Sequence, residues 1–272
     1  MIISVLGCGW LGFPLAQRLV KNNYSVKGST TTKKKLQLLR QNGIEPYFLK
    51  LPESLANKSV ESFWETDILF LNIPPGRAHQ DKLNEYPIII KQVIDKCKSS
   101  VGCWIIFASS TSVYSETGGI TFEEDAKKGT ASRPSGEAIL EAESHIIQSG
   151  LDYTILRFGG LYGYGRHPIH YLSGKKNLSD PLKPVNLVHQ TDSLNIAMEI
   201  IRQKKRNQIY NVVSDGHPPR STFYKSAAEY FNLPGPEFQK NVNKDYRIVC
   251  NKKLKQDLLY SFSYPNPMDF TP

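Results

Sequence analysis

The strongest indication of the fold comes from MIISVLGCGWLG, residues 1–12. Its first six residues are mostly apolar and β-branched, which is typical of a short buried strand. Gly7, Gly9 and Gly12 follow with the spacing G-x-G-x-x-G, and apolar residues at helical spacing begin directly after them. Glycines recur in loops for backbone reasons alone, so this spacing by itself fits a dinucleotide cradle or a simple tight turn. The rest of the chain has to decide between the two.

Strand-like and helix-like segments alternate through the first 157 residues. Further strands are predicted at 24–28, 45–51, 67–74, 103–110 and 152–157, and helices at 10–22, 34–43, 82–98 and 135–149. Nearly continuous apolar strands separated by helices are typical of a parallel sheet covered on both faces. We therefore expect an α/β fold with a doubly wound, parallel Rossmann sheet.

In this context the glycines are interpreted as a cofactor cradle, because they lie between the first strand and the first helix of a βαβ unit. Gly7 allows the tight turn, Gly9 lets the backbone approach a pyrophosphate, and Gly12 lets helix and strand pack closely. The start of the helix then supplies unpaired N–H groups and a partial positive charge. The predicted cofactor contacts in this loop are Gly7, Gly9, Trp10, Leu11 and Gly12.

The type of dinucleotide is predicted from the end of the second strand, KGSTTTKKK, residues 27–35. An NAD site of this kind places an acid there to hold the ribose hydroxyls. This stretch has no acid, and the next one along the chain is Glu45. Hydroxyl and ammonium groups suit a 2′-phosphate, which a carboxylate would repel. We predict NADP as the cofactor, with NAD as the alternative, held here by Ser29, Thr30, Thr31 and Lys33.

Composition limits the other classes. The 272 residues are 40 % hydrophobic and 22 % charged, and no apolar run approaches the length of a membrane span. We expect a cytoplasmic protein without a membrane partner. The four cysteines, Cys8, Cys97, Cys103 and Cys250, include no C-x-x-C pair, so neither a disulfide framework nor a metal site is predicted.

The formal charge of +9 suits a nucleic acid, an anionic small ligand or simple solubility. The basic residues are spread along the chain, and no helix-turn-helix, zinc-finger or RNP pattern accompanies them. We therefore predict no nucleic-acid partner and favour a phosphorylated small molecule.

Four later stretches carry a resemblance to a known family: FASSTSVYS (107–115), LRFGGLYGYGR (156–166), NLVHQTDSLNIAMEII (186–201) and IYNVVSDGHPPRSTFYKSAAEYF (209–231). Together with GCGWLG they resemble the extended short-chain dehydrogenase/reductases, the NAD(P)-dependent epimerase/dehydratase family, and in particular its atypical members. The resemblance implies a Rossmann domain over residues 1–160. It also implies a smaller C-terminal substrate-binding region over 161–272, interleaved with the core, in a monomer or homodimer.

The family's chemistry uses a serine, a tyrosine and a lysine, which together form a general acid/base beside a hydride acceptor. The resemblance places the serine at Ser110. With Glu143 taken as the family's helix glutamate, Ser135 stands where the tyrosine belongs and Ile139 where the lysine belongs. Standard catalysis is therefore not expected. The chain is interpreted as an NADP(H)-binding oxidoreductase or epimerase acting on a small, anionic or sugar-nucleotide-like substrate, or alternatively as a noncatalytic NADP(H)-binding sensor or scaffold.

The remaining site residues follow from position at the carboxyl ends of the strands. Ser110 and Tyr114 are the candidate catalytic residues, with Tyr114 as a substitute acid. His189 and Asp192 are expected to be structural, with Asp192 as a helix N-cap. Pro74 and Ser109 are predicted to contact the cofactor. The predicted substrate contacts are Arg77, Thr111, Tyr162 and Arg166, and His167, His170 and Arg220 are expected to add positive charge at the pocket mouth.

Overall fold

The computed structural model describes residues 1–76, 80–116, 118–240 and 246–270. Its centre is a sheet of seven parallel strands in the order β10-β7-β5-β4-β1-β2-β3. The strands of this sheet are β1 (Ile2–Leu6), β2 (Ser25–Thr30), β3 (Glu45–Phe48), β4 (Ile68–Leu71), β5 (Trp104–Ser110), β7 (Asp152–Phe158) and β10 (Gln208–Val212). The strand order reverses direction between β1 and β4, where a doubly wound sheet forms its ligand crevice.

Helices cover both faces of the sheet. They are α1 (Gly12–Lys21), α2 (Lys35–Gln41), α3 (Gln80–Cys97), α4 (Pro134–Ile147), α5 (Gln190–Gln203), α6 (Arg220–Tyr230) and α7 (Lys252–Leu258). Alternate strand residues point to opposite faces, so Phe70 packs in one core with α1 and α5 while Leu71 packs in the other with α3 and α4. The predicted α/β class and doubly wound parallel sheet are confirmed. The third strand is shorter than expected, since 3-10 turns begin soon after Phe48.

Residues beyond position 160 also contribute to the main sheet. Strand β10 pairs in parallel with β7, and two small sheets join β8 (Gly160–Tyr162) to β9 (Leu187–His189) and β6 (Ile120–Thr121) to β11 (Ile248–Val249). Leu194 and Leu254 lie in the same apolar core as Leu15 of α1. The segment predicted as a substrate-binding region therefore also supplies the edge strand and part of the main core.

A buried ion pair joins β7 to α4 at the carboxyl edge of the sheet. The Arg157 Nη2 atom lies 2.6 Å from Glu143 Oε2, and both side chains are almost wholly buried. Arg157 also donates to Tyr114 Oη (2.9 Å) and to the Glu123 carbonyl oxygen (2.6 Å). Burial lowers the pKa of Arg157, but the hydrogen bonds and charge of Glu143 outweigh that effect and raise it above its usual value. Ser109 donates a further hydrogen bond to Glu143.

We expect Glu143→Gln to lower the free energy of unfolding by roughly 3–5 kcal/mol, because it leaves the buried Arg157 charge without its counter-ion. Glu199→Gln is the matched control: its exposed partner Arg202 lies 2.7 Å away on the same helix, and loss of this water-screened pair should lower the free energy of unfolding far less. Urea unfolding of both variants measures the difference. Equal costs would contradict the structural importance given to the buried pair.

Candidate cofactor-binding site

The glycine loop connects β1 to α1 at the carboxyl edge of the sheet. Gly7 adopts a φ of +103°, which an L side chain rarely adopts. A Cβ atom on Gly7 would lie 2.4 Å from the Asn72 carbonyl oxygen, and one on Gly12 would lie 2.2 Å from the Gly7 carbonyl oxygen. A Cβ atom on Gly9 would meet no atom of the described residues beyond its chain neighbours within 4 Å. Two glycines are thus required by packing, and the third leaves an open space in front of the helix.

Neighbouring strands hold this loop in place. The Gly7 N–H donates to Ser29 Oγ (2.9 Å), and the Cys8 N–H donates to the Ser29 carbonyl oxygen (2.8 Å). Asn72, directly after β4, donates from Nδ2 to the Gly7 carbonyl oxygen (3.0 Å). Sequence reasoning missed Asn72, whose only signal was its place at a strand end. Ser29 is buried beneath the loop and supports its shape.

The end of β2 carries the residues predicted to select the cofactor. Thr31 and Lys33 are exposed there, whereas Thr30 is buried and its Oγ1 accepts from the Thr32 N–H (3.2 Å). The Lys33 Nζ atom lies 5.6 Å from the centre of the Phe48 ring. Glu45 pairs with Lys27 near the start of β2, at the opposite end of the strand from Thr30. The carboxyl end of β2 therefore presents hydroxyl groups and a cation.

The end of β5 brings the two candidate catalytic residues close in sequence but gives them different surroundings. Ser110 is half-buried, and its Oγ accepts from the Ser112 N–H (3.1 Å), so its own proton is available to a ligand. Tyr114 is fully buried; its hydroxyl donates to Asn211 Oδ1 (2.6 Å) and accepts from Arg157. Burial raises the Tyr114 pKa to about 12, although Arg157 partly offsets the effect. The hydroxyl expected to act as a substitute acid has no opening to a substrate in this arrangement.

Other predicted contacts at this strand end are also engaged within the protein. Ser109 is buried with its hydroxyl on Glu143. Thr111 is buried, and its carbonyl oxygen accepts from Arg247 Nη2 (3.2 Å). Pro74 is exposed in the loop after β4. Arg77 lies outside the described residues.

The two positions that depart from the family's catalytic pair lie on α4. Ser135 is half-buried in the first turn, and Ile139 is buried in the apolar core. Between them a Cβ on Gly136 would lie 2.1 Å from the Ser112 carbonyl oxygen, so α4 packs tightly against the turn that follows Ser110. An isoleucine in that core supplies no charge to a tyrosine or to a ribose.

Tyr162 and His189 lie in an aromatic cluster at the ends of β8 and β9. Their ring centres are 5.2 Å apart and both are fully buried. Among the described residues, neither Tyr162 Oη nor His189 Nε2 has a hydrogen-bond partner. His189 Nδ1 caps α5 by accepting from the Thr191 N–H (3.1 Å), so Nε2 carries the proton of the neutral ring. Burial lowers its pKa to about 4, although Asp192 partly offsets the effect.

The positive charge expected at the pocket mouth is smaller than the sequence suggested. His167 is buried, and burial, together with His170, lowers its pKa to about 4, so it is neutral near pH 7. Arg220 donates to the Ser179 carbonyl oxygen (2.6 Å). Asp192, expected as a helix cap, instead accepts from Tyr260 Oη (2.7 Å) and two backbone N–H groups, while His189 is the cap.

The described residues include no candidate metal cluster and no candidate membrane-spanning helix. No group of three or more His, Cys, Asp or Glu side chains is placed to hold a metal ion. Of the helices in the described ranges, none combines the length and apolar character needed to cross a membrane.

A family model described as NAD(P)H-binding matches residues 7–181, which begin at the first glycine of the loop. The chain belongs to the NAD(P)H-binding family. Its cofactor is a nicotinamide dinucleotide. The Escherichia coli K12 protein YeeZ is 30 % identical over 270 residues, covering 98 % of this chain and 97 % of that protein.

Solved structures show the same fold at lower identity. UDP-glucuronic acid 4-epimerase from Bacillus cereus, in complex with NAD, matches with a TM-score of 0.81 at 17 % identity, over 100 % of this chain and 95 % of that one. UDP-glucose 4-epimerase from Thermotoga maritima, with UDP-glucose, matches with a TM-score of 0.77 at 19 % identity, over 100 % and 97 % of the two chains. The expected resemblance is confirmed to this extent: the chain matches the NAD(P)H-binding model and YeeZ, and it has the fold of these NAD-dependent epimerases.

Substitutions at two glycines of the loop, Gly9 and Gly12, give a direct test of the cradle. Gly9→Val should leave the fold intact and weaken NADPH binding at least 100-fold, since its side chain occupies the open space in front of α1. Gly12→Ala should instead lower the free energy of unfolding by roughly 1–3 kcal/mol, because a backbone carbonyl stands in its way. Gly119→Val, another glycine whose Cβ meets nothing, is the control for both readouts. Retained cofactor binding by a folded Gly9→Val protein would place the cradle elsewhere.

The buried histidines predict acid sensitivity. The His189 pKa is about 4 in the folded protein and about 6.5 when unfolded, so the unfolded chain binds more protons between these values. The contribution of neutral His189 to the free energy of unfolding is therefore fully present above about pH 6.5. It decreases by up to about 3 kcal/mol as the pH drops toward 4. His189→Asn keeps a side-chain oxygen for the α5 cap but removes the titration.

We expect urea unfolding at pH 7 and pH 5 to show a smaller pH dependence for His189→Asn than for the unmodified protein. His145→Asn, at a half-buried position on α4, is the comparison variant for replacing a histidine on another helix. An unchanged dependence in His189→Asn would show that His189 is not held neutral by burial.

Proposed function

We propose that this protein binds NADP(H) in the glycine loop and exchanges a hydride with a small, anionic, sugar-nucleotide-like substrate. The observation that carries the proposal is the open space at Gly9 beside a β2 end that presents Thr31 and Lys33 without an acid. The N–H groups at the start of α1 suit the diphosphate, and the hydroxyl and ammonium groups at the end of β2 suit a 2′-phosphate. When bound, the nicotinamide ring supplies the hydride donor or acceptor.

The substrate class is supported by two considerations. Two epimerases of the same fold were solved with UDP-glucose and with UDP-glucuronic acid, which are anionic sugar nucleotides. The chain also has a formal charge of +9, which raises the local concentration of anions around a cleft. An anionic substrate should therefore bind less tightly as salt is added.

Ser110 is the side chain that suits a role in hydride exchange. Its proton is free to hydrogen-bond a substrate carbonyl or hydroxyl oxygen, since the Ser112 N–H occupies only an acceptor position. With Tyr114 buried and Ile139 in place of a lysine, the proton exchanged with that oxygen comes from solvent or from the substrate itself. A missing general acid costs roughly 10²–10⁴-fold in rate, so slow turnover is expected.

The second candidate is a noncatalytic NADP(H)-binding sensor or scaffold. The burial of Tyr114 and Ile139 favours it, since neither can serve as the family's acid or as the lysine beside it. It needs the same cradle but no substrate chemistry. The two candidates differ in whether a reduced cofactor is consumed.

Calorimetric titration with NADPH and NADH tests the cofactor. We expect NADPH to bind at least 10-fold more tightly, because Lys33 pairs with the 2′-phosphate. Lys33→Gln should remove most of the preference, and Lys34→Gln, one residue further on the exposed start of α2, serves as the control. Equal affinities, or tighter binding of NADH, would contradict the NADP assignment.

Turnover then separates the two candidates. NADPH oxidation is followed with a panel of nucleotide-activated keto-sugars, and NADP⁺ reduction with nucleotide sugars and uronic acids. A slow rate that Ser110→Ala abolishes and Ser144→Ala leaves unchanged would support the enzyme. Tight NADPH binding with no hydride exchange on any of these substrates would favour the sensor or scaffold.

A further inference from the structure

Trp10 links the glycine loop to the second half of the chain. Its indole Nε1–H donates to the Tyr164 carbonyl oxygen (3.2 Å), and its own carbonyl oxygen accepts from Gln190 Nε2 (2.7 Å). The guanidinium carbon of Arg166 lies 5.0 Å from the centre of its ring. The residue directly after Gly9 is thus held at three points by two later segments, one that contains Tyr164 and Arg166 and one that contains Gln190.

Arg166 is fixed at the base of a tight turn. Gly163 and Arg166 exchange two backbone hydrogen bonds, each 3.0 Å long, and Gly165 adopts a φ of +67° within the turn. A Cβ on Gly163 would lie 3.4 Å from the Trp10 ring, so the turn packs closely on the indole. Backbone and stacking together limit the positions open to the guanidinium.

The Arg166 guanidinium differs from the other buried and half-buried arginines in the described ranges. Each of those donates to a protein oxygen, as Arg157 does to Glu143 and Arg247 does to Glu116; the others are Arg18 and Arg220. In the described parts of the chain, Arg166 contacts the Trp10 ring but has no ion pair or side-chain hydrogen bond. Five N–H donors on a half-buried, pre-positioned cation are therefore available to an external anion.

We propose that Arg166 binds the diphosphate of the dinucleotide, with the Trp10 indole as its platform. Gly9 precedes Trp10, and the space in front of Gly9 is where the loop receives the diphosphate in the function proposed above, on which this inference rests. The guanidinium forms paired hydrogen bonds to phosphate oxygens that the backbone N–H groups leave open. This differs from the sequence-based expectation that Arg166 contacts the substrate.

The experiment measures the dissociation constants of NADPH and of 2′-AMP, which carries the 2′-phosphate but no diphosphate. Arg166→Gln should weaken NADPH binding roughly 10- to 100-fold and reduce its salt dependence, while 2′-AMP binding stays within about twofold. Arg166→Lys keeps the charge but loses the planar fork, so an intermediate effect is expected. Arg202→Gln removes one charge from a distant exposed position and should change neither ligand.

Trp10→Leu provides a second test through coupling. If the indole positions Arg166, the losses of NADPH affinity in Trp10→Leu and Arg166→Gln will not add in the double variant. Additive losses would contradict the claim that the Trp10 indole positions Arg166.

The outcomes separate this inference from the proposed function. Failure of the unmodified protein to bind either NADPH or NADH would refute the function itself. NADPH binding by Arg166→Gln equal to that of Arg202→Gln would refute the role of Arg166 alone. Equal weakening of NADPH and 2′-AMP would assign the effect to the 2′-phosphate or to the fold. If Arg166→Gln leaves the NADPH affinity unchanged but raises the KM for an anionic substrate, Arg166 contacts the substrate and not the diphosphate.

Discussion

The buried pair of Arg157 and Glu143 governs the carboxyl edge of the sheet. One guanidinium contacts the helix carboxylate, the Tyr114 hydroxyl and the Glu123 carbonyl oxygen, and thereby joins β7 to α4 and to the segment after β5. Asn211 extends the network to β10 by accepting from Tyr114. Two charges without water require their full set of hydrogen bonds, so each group that satisfies them is committed to the fold.

The hydrogen bonds to this buried pair explain why the candidate site has few free hydroxyl groups. Tyr114 and Ser109 lie near the end of β5, where ligands of such sheets bind, yet both hydroxyls serve the buried pair. Of the two predicted catalytic residues, Ser110 is the one whose hydroxyl proton meets no acceptor within the described parts of the chain. The glycine loop is complete, whereas Ser135 and Ile139, the residues that the sequence analysis expects at the family's tyrosine and lysine positions, offer neither a phenol nor a charge.

The features that sequence predicted well are local. Strand alternation, the positions of the glycines and the missing acid after β2 depend on neighbours within a few dozen residues, and periodicity reports them. The roles of Tyr114 and His167 were not predictable in this way. Tyr114 bonds to Asn211, which is 97 positions away, and the pKa of His167 follows from burial by distant chain. Asn72 gave no signal beyond its place at a strand end, although its amide holds Gly7.

The position of β10 and β11 has a consequence for how the chain reaches this state during synthesis. The strands β1 to β5 lie in the first 110 residues, but β7 receives its outer neighbour only from residues 208–212, and β6 receives its partner from residues 248–249. Asp192 is satisfied by residues 260–264. The glycine loop can therefore form on the ribosome before the last quarter of the chain has emerged, when the outer edge of β7 is still unpaired and the Asp192 carboxylate still lacks its partners. Until then the nascent protein carries an open strand edge, the kind of surface that chaperones cover and that aggregates when left exposed.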